Sequence, residues 1–191
     1  MGISSFRTTM SIESYAAELK SALRQFPNFP SEGILFEDFL PIFAKPELFQ
    51  KLVDAFKLHV GDTKVDYVVG LESRGFLFGP TLALALGAGF IPVRKPGKLP
   101  GQTLEATFQK EYGTDKFQIQ EGVIPKGARV LVVDDILATG GSASAAGLLV
   151  EKSGAQVVEY LFVMELDFLK GRDKLNSAVF TLLSGQESKL E

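Results

Sequence analysis

The sequence predicts an α/β fold with a central, mostly parallel sheet flanked by helices. Short apolar runs alternate with helical patterns, and this alternation is typical of a parallel sheet that is covered on both faces. The run Val130–Val133 has no polar residue, as expected for a strand buried on both sides. With 191 residues, of which 46% are hydrophobic, the chain can bury a core of this kind.

The N-terminal part is predicted to be helical, with one irregular segment. Apolar residues at helical spacing predict a helix over 12–26, with Ser11 as its cap. Residues 27–41 combine prolines with phenylalanines and predict a stiff segment rather than a regular element. A second helix is predicted to begin at Pro46 and to end at Gly61.

Strands and helices alternate through the rest of the chain. Core strands are predicted at Val65–Gly70, Phe90–Arg94, Arg129–Val133, Val157–Met164 and Ala178–Leu183. Helices are predicted at 76–87, where Pro80 marks a late start, and at Ser142–Ser153. A long polar stretch covers residues 95–115, and a strand at Lys116–Gln120 can close it as a hairpin.

Composition excludes several classes of function. The chain has no Cys, which excludes disulfides, thiolate metal sites and a Cys nucleophile, and we assign no catalytic role to its one histidine, His59. The net charge of −3 gives no basis for nucleic-acid binding, and no apolar run reaches the ~18 residues of a membrane span. We expect residues 1–10 to be a disordered tail and the protein to be cytoplasmic, with the nucleus as an additional location.

The strongest functional pattern follows the strand Arg129–Val133. Asp134 and Asp135 come first, and a Gly-rich turn then leads into a helix N-terminus. Unpaired amides at a helix start favour a phosphate, and carboxylates can accept hydrogen bonds from sugar hydroxyls. The alternative is a capped turn with solvated acids. The glycine spacing is that of neither a Walker loop nor a dinucleotide fingerprint. The turn, named here the phosphate loop, comprises Ala138, Thr139, Gly140, Gly141 and Ser142.

Two further segments carry side chains that suit an anionic substrate. Leu71–Gly75 follows another strand and places Arg74 near the same edge of the sheet; the alternative is an arginine in a surface turn. Residues 95–115 are rich in cations, and a loop of this length is either an active-site lid or a solvated charged segment.

The run from Val130 to Ser142 resembles the phosphoribosyl pyrophosphate motif of the type I phosphoribosyltransferases. The resemblance implies the fold of that family, in a single domain over residues 11–191. It implies that Asp134 and Asp135 bind the ribose and that the phosphate loop binds the 5-phosphate. It also implies a small hood (residues 27–41) that reads the base and a flexible lid hairpin (residues 95–115).

Around and within the lid, the chain reads Arg94-Lys95, then Lys98-Leu99-Pro100-Gly101, then Glu111-Tyr112-Gly113. This pattern closely resembles the flexible hairpin of the adenine phosphoribosyltransferases in particular. In that family it closes over the reacting centre, so the resemblance implies proton exchange between Glu111 and the purine, with Tyr112 packed over the site. The implied catalytic residues are Glu111, Tyr112 and Arg74. The implied pyrophosphate ligands are Glu72, Ser73, Arg74, Arg94, Lys95 and Lys98. A cis peptide is implied at Glu72–Ser73, and Arg94 is implied to act across the interface of a homodimer.

The base is implied to bind between the hood and the segment after the fourth core strand. Phe36 and Leu166 would cover its two faces, and backbone groups around Leu35 and Glu37 would read its edge. Relatives often have a basic residue where Glu37 stands, and without the resemblance Phe36 would be interpreted as ordinary core.

The implied reaction joins adenine to phosphoribosyl pyrophosphate and yields AMP and pyrophosphate, a step of purine salvage. Mg²⁺ is the implied cofactor, held mainly by substrate and water rather than directly by protein ligands. One alternative is a phosphoribosyltransferase for another purine, such as hypoxanthine, guanine or xanthine. The other is a catalytically silent regulator that binds phosphoribosyl pyrophosphate, although such proteins usually add a basic DNA-binding part that is not seen in this sequence.

Overall fold

The structure is a computed structural model that describes residues 11–29, 32–33, 35–109 and 113–184. The predicted tail at residues 1–10 lies outside the described residues. The helices are α1 (Ile12–Ser21), α2 (Leu40–Ala44), α3 (Pro46–Val60), α4 (Gly79–Leu86) and α5 (Gly141–Lys152). The strands are β1 (Arg24–Pro27), β2 (Leu35–Asp38), β3 (Tyr67–Leu71), β4 (Gly89–Val93), β5 (Thr103–Gln109), β6 (Thr114–Gln120), β7 (Arg129–Leu137), β8 (Gln156–Glu165) and β9 (Ala178–Leu183).

The core is a parallel sheet of strand order β4-β3-β7-β8-β9, as the alternating pattern predicted. An apolar cluster covers each face: α5 and the β5–β6 hairpin pack on one side, and α1, α3 and α4 on the other. The chain moves outward from β3 to β4 and then returns to β7 on the opposite side of β3. The order therefore reverses between β3 and β7, and open α/β sheets bind ligands at such a point.

The first helix is shorter than predicted, and the hood is more regular than predicted. Ser11 caps α1 by accepting a hydrogen bond from the Ser14 amide, as expected, but α1 ends at Ser21. β1 then pairs with β2 as an antiparallel hairpin. The predictions of helix over 22–26 and of no regular element in 27–41 were therefore wrong, because cross-strand pairing overrides local spacing in short segments.

The strand that leads to the phosphate loop is longer than predicted. β7 continues to Leu137, so Asp134 and Asp135 lie within the strand and not beyond its end. The reason is the length of its neighbour, because β8 reaches Glu165 and pairs with β7 as far as Leu137. Two consecutive acidic residues usually indicate the end of a strand. Pairing with the long strand β8 keeps Asp134 and Asp135 within the sheet.

The polar stretch at 95–115 also contains a strand that was not predicted. β5 pairs with β6 along its whole length, which confirms a hairpin closed by Lys116–Gln120. Phe108 and Phe117 stack with ring centroids 5.0 Å apart and belong to the apolar cluster that contains α5. The described part of this hairpin is thus anchored to the body of the protein.

No helix within the described residues is long and apolar enough to cross a membrane.

Candidate active site

A pocket of about 310 Å³ lies where the strand order reverses, at the carboxyl ends of β3 and β7. Its lining consists of Arg74, Asp134, Asp135, Ile136, Leu137, Ala138, Thr139, Gly140, Gly141, Ser142, Ala143, Phe162 and Leu166. The residues predicted to bind ribose and phosphate therefore meet in one cavity, together with Arg74 from the turn after β3. Leu166, predicted to cover the base, borders the same cavity.

The phosphate loop combines a left-handed glycine with a helix start that no described side chain caps. Gly140, the N-cap of α5, has φ 77°, a conformation that L side chains rarely adopt. Its carbonyl accepts a hydrogen bond from the Ser144 amide at 2.9 Å, which closes the first turn of α5. First-turn amides of an uncapped helix are available to an anion, and the helix dipole favours one there.

The two acids lie side by side at the wall of this pocket, and Asp135 is 3% exposed. Burial, and next the charge of Asp135, raise the pKa of Asp134 well above its usual range. Burial also raises the pKa of Asp135, but the Arg74 guanidinium opposes that shift. Arg74 Nε lies 2.8 Å from Asp135 Oδ2. One cation thus faces two carboxylates, which leaves the pair with acceptor capacity for hydroxyl donors.

The turn after β3 packs tightly on β7. A Cβ atom at Gly75 would lie 2.7 Å from the Val133 carbonyl oxygen, so only glycine allows this approach. The peptide bond between Glu72 and Ser73 is cis, as the resemblance implied. This close packing brings Arg74 to the aspartates of the neighbouring strand.

Two of the other predicted pyrophosphate ligands, Arg94 and Lys95, bind Glu72 and do not line the pocket. Arg94 donates to the Glu72 carboxylate through Nη2 at 2.9 Å and Nε at 3.3 Å, and the Lys95 amide donates at 2.9 Å. The hydrogen bond from Arg94 lowers the pKa of Glu72. Arg94 Nη1 also donates to the Lys98 carbonyl oxygen at 3.2 Å. In the single chain, therefore, Glu72 neutralises the cation that was predicted to meet pyrophosphate.

The described part of the hood approaches the pocket through a contact of Phe39 with Arg74. Arg74 Cζ lies 5.6 Å from the centroid of the Phe39 ring, within the range of a cation–π interaction. Phe36 meets Phe29 edge to face at 5.1 Å. The residues predicted to read the base, Leu35, Phe36 and Glu37, are not among those that line the cavity.

Glu37 is bound within the hood hairpin. Its Oε1 accepts a hydrogen bond from Gln25 Nε2 at 3.0 Å, across the pairing of β1 with β2. Its Oε2 is buried without a hydrogen-bond partner among the described residues. The side chain is therefore used to join the two strands.

The two lid residues predicted to act in catalysis, Glu111 and Tyr112, lie outside the described residues. The end of β5 lies against the phosphate loop, because a Cβ atom at Gly141 would be 3.0 Å from the Gln109 carbonyl oxygen. The described part of the hairpin thus reaches the edge of the pocket.

Sequence reasoning assigned no role to three residues that support the pocket. Gly171 packs backbone to backbone against Ala138 and Gly140, and Arg172 forms an ion pair with the buried Glu165. Gly171 lies 29 positions beyond Ser142, the last residue of the phosphate loop. Only a tertiary contact joins the two segments, and no spacing in the sequence could have revealed it.

The described residues offer little direct ligation for a metal ion. No group of three or more Asp, Glu or His side chains within them could hold one. Asp134 and Asp135 are hard oxygen donors, and their adjacency suits Mg²⁺ that takes its remaining ligands from phosphate oxygens and water.

Residues 41–183 match the model of the phosphoribosyl transferase domain. The chain is 74% identical over 180 residues to adenine phosphoribosyltransferase of Candida albicans, covering 94% of this chain and 96% of that protein. It is similar to the crystal structure of adenine phosphoribosyltransferase from Saccharomyces cerevisiae, complexed with D-2,5-dideoxy-2,5-imino-altritol 1,6-bisphosphate and adenine. The TM-score is 0.88, the identity 70%, and the match covers 90% of this chain and 99% of that chain.

A more distant likeness is to adenine phosphoribosyl transferase from Trypanosoma brucei, solved in complex with AMP, pyrophosphate and ribose-5-phosphate. The TM-score is 0.81 at 27% identity, and the match covers 89% of this chain and 79% of that chain. The fold is thus shared even where the sequence has diverged.

Proposed function

The chain belongs to the phosphoribosyltransferase family, among its adenine phosphoribosyltransferases, and from this premise we propose that it converts adenine and phosphoribosyl pyrophosphate into AMP and pyrophosphate in purine salvage. The observation that carries the proposal is the single pocket in which Asp134, Asp135 and the phosphate loop meet. The two carboxylates can accept hydrogen bonds from the ribose hydroxyls, and the amides of the phosphate loop can donate to the 5-phosphate. A ribose 5-phosphate carries both kinds of group.

The reaction breaks the bond between ribose C1 and pyrophosphate while the base forms a bond to the same carbon. The transition state resembles an oxocarbenium ion, and negative charge grows on the leaving group. The phosphate loop and the two aspartates hold the sugar in place, so that the base and the leaving group lie on opposite faces of C1. Positioning of this kind removes much of the entropic barrier.

Pyrophosphate is expected to bind at Glu72, Ser73, Arg74, Arg94, Lys95 and Lys98. Arg74 supports this role because it already lies at the rim of the ribose site. The Arg94 guanidinium is paired with Glu72, and the Lys95 ammonium lies 3.8 Å from Asp115 Oδ2, so each cation would have to leave its present partner to meet the leaving group. Cations aimed at the developing charge stabilise the transition state more than the ground state.

Mg²⁺ is proposed as the cofactor. Bound to pyrophosphate oxygens and water, it would supply further stabilisation of the leaving group. Asp134 and Asp135 are the described residues that could contact the hydrated ion, in addition to binding the ribose hydroxyls.

The base is proposed to lie between the hood and Leu166. Phe36 would stack on one face, and backbone groups of Leu35 and Glu37 would read the edge. These hood residues do not line the present cavity, so the base is proposed to extend from Leu166 beyond it toward the hood. Glu111 is proposed to exchange a proton with the base, and Tyr112 to cover the closed site.

The assembly is proposed to be a homodimer in the cytoplasm. The support is an exposed apolar stripe near and on α4, where Leu77 is 42% and Leu84 is 82% exposed. Such residues are often covered by a second subunit.

The test is pyrophosphate release with adenine, hypoxanthine, guanine and xanthine in turn. We expect release with adenine. Preference for another purine would support a different base specificity, and binding of phosphoribosyl pyrophosphate without release would indicate a silent regulator.

We expect Glu111→Ala to lower kcat by roughly 10²- to 10⁴-fold, the usual contribution of a general acid–base, with a smaller effect on the binding of phosphoribosyl pyrophosphate. The matched control is Glu121→Ala, which removes an exposed carboxylate just beyond β6. Equal kcat in the Glu111 variant and the wild type would exclude Glu111 from the chemistry.

A further inference from the structure

The phosphate loop rests on the backbone of another turn, which joins β8 to β9. A Cβ atom at Gly171 would lie 2.2 Å from the Ala138 carbonyl oxygen and 2.9 Å from the Gly140 amide nitrogen. Conversely, a Cβ atom at Gly140 would lie 2.2 Å from the Gly171 carbonyl oxygen. Two glycines thus allow the two main chains to touch. A shift of the turn that carries Gly171 would change the shape of the phosphate loop.

The turn around Gly171 needs support from outside itself. Lys170 has φ 50°, in the left-handed region that residues with a side chain rarely adopt. The turn consists of two short 3-10 helices, Asp167–Leu169 and Gly171–Lys174, which are too short to be stable alone. Contacts to the sheet must hold it.

Arg172 provides those contacts by joining the two strands on either side of the turn. Its Nε donates to Glu165 Oε1 at 2.8 Å, and its Nη2 donates to Glu165 Oε2. Its Nη1 donates to the Val179 carbonyl oxygen at 3.0 Å, on β9. Thr181 Oγ1 donates to Glu165 Oε2 at 3.2 Å. Glu165 is 4% exposed, so this forked, charge-assisted pair is shielded on the carboxylate side.

We propose that Arg172 is a positioning residue for sugar-phosphate binding, because its fork to Glu165 holds Gly171 against Ala138 and Gly140 and so fixes the phosphate loop. The inference rests on the proposed function and deepens it. Arg172 does not line the pocket and acts through Gly171, which directly follows the strained Lys170. The ligand class concerned is a phosphate monoester of a pentose.

Leu166, on the base side of the pocket, has a backbone support that does not involve the Arg172 side chain. The Leu166 amide donates to the Leu137 carbonyl oxygen at 2.9 Å, which fixes Leu166 to the end of β7. Loss of Arg172 should therefore weaken phosphate binding while leaving adenine binding nearly unchanged. This separation distinguishes positioning from general loss of structure.

The experiment compares Arg172→Ala with Arg129→Ala. Arg129 stands at the opposite end of β7 and donates through Nε to the Lys64 carbonyl oxygen at 2.8 Å, so it is a matched arginine far from the loop. Titration calorimetry with ribose 5-phosphate should show a Kd about tenfold or more higher in Arg172→Ala, and KM for phosphoribosyl pyrophosphate should rise in parallel. KM for adenine and kcat should change less than about twofold. Arg172→Lys, which keeps the charge but lacks the fork, should recover only part of the affinity.

Gly171→Ala tests the same contact should Arg172→Ala fail to fold. The φ angle of Gly171 lies outside the left-handed region, so alanine adds only the methyl group that would meet Ala138. We expect it to weaken ribose 5-phosphate binding with the Glu165–Arg172 pair intact. Unchanged affinity in Gly171→Ala, or equal losses of sugar-phosphate and adenine binding in Arg172→Ala, would overturn the proposal. A wild type that binds ribose 5-phosphate but does not convert adenine would refute the proposed function and leave this comparison decisive.

Discussion

The two aspartates of β7 are held in a state that costs the folded protein stability. Asp135 is buried, Asp134 beside it is half-buried, and both carboxylates interact with one arginine. Burying a carboxylate is unfavourable unless donors surround it, and two carboxylates that share a site repel each other. Ribose hydroxyls are donors of the required kind. We infer that the site keeps its acceptors ready for the sugar and accepts the loss of stability in its absence.

We expect Asp134→Asn to stabilise the ligand-free protein by about 1 kcal/mol at neutral pH. The folded-state pKa of Asp134 is raised above the unfolded value near ~3.9. As the pH rises above that value, the unfolded chain ionises first, and its ionisation favours unfolding. The difference in the free energy of unfolding between Asp134→Asn and the wild type should therefore be absent at low pH. It should grow as the pH rises and level off above the folded-state pKa of Asp134. Urea unfolding of wild type and variant at several pH values measures it.

Asp66→Asn is the control with the opposite sign. The Arg129 amide donates to Asp66 Oδ2 at 2.8 Å, and this hydrogen bond lowers the pKa of Asp66. The ionised Asp66 carboxylate stabilises the fold at pH values above its pKa in the unfolded chain. This stabilisation is lost as the pH falls through the lower pKa of Asp66 in the folded state. Asp66→Asn should thus destabilise at neutral pH. Equal, pH-independent effects of the two variants would contradict this account.

Asp134→Asn should also weaken the binding of ribose 5-phosphate. One hydrogen bond to a charged acceptor contributes about 1.5–3 kcal/mol, so Kd for ribose 5-phosphate should rise roughly ten- to hundredfold. Calorimetry measures the change. An unaltered Kd would mean that the ribose does not meet Asp134.

At the scale of elements, the turns supply most residues that line the pocket, and the sheet positions them. The phosphate loop and the turn after β3 each follow a buried strand, and each contains a glycine that permits backbone contact. Apolar runs, glycines and acids are local signals, so the core strands and these turns were predicted from sequence. β1 and the last residues of β7 were missed, because their state depends on a partner strand.

Gly140→Ala tests whether the phosphate loop needs glycine for its contact as well as for its φ angle. The matched control is Gly87→Ala, since Gly87 has φ 67° but no atom within 4 Å of an added Cβ. Gly87→Ala should cost about 1 kcal/mol from the backbone alone and leave ribose 5-phosphate binding unchanged. Gly140→Ala should cost more, because its Cβ would meet Gly171, and it should abolish that binding. Thermal unfolding and calorimetry measure both effects, and identical behaviour of the two variants would contradict the role of the contact.

At the scale of the whole molecule, the reversal of strand order between β3 and β7 assembles the site. It brings Arg74 to Asp135 from a distant part of the sequence. The residues proposed to bind ribose and phosphate could be placed together from the sequence because they lie in one continuous motif. The contact of Gly171 with the phosphate loop and the Glu165–Arg172 pair could not, since they arise only when the turn after β8 folds back onto the loop after β7.

The exposed stripe near α4 is the strongest sign in the described chain that a second subunit completes the molecule. Thr81 and Leu84 are three residues apart in α4 and so lie on one side of that helix, Leu77 comes just before it, and all three are exposed. A leucine that is 82% exposed contributes little to the folding of one chain. In a symmetric dimer its burial counts twice, which is worth roughly 3 kcal/mol or more.

We therefore expect the wild type to be a dimer at micromolar concentration and Leu84→Glu to raise the dimer Kd by roughly a hundredfold or more. Leu58→Glu, which places the same charge at a 44% exposed leucine of α3, is the control and should leave the dimer intact. Sedimentation velocity distinguishes the two. If Arg94 also acts across the interface, Leu84→Glu should lose kcat/KM on dilution, and the wild type should not. A monomeric wild type would show that the stripe has another purpose and that Arg94 acts within its own chain, where Glu72 already binds it.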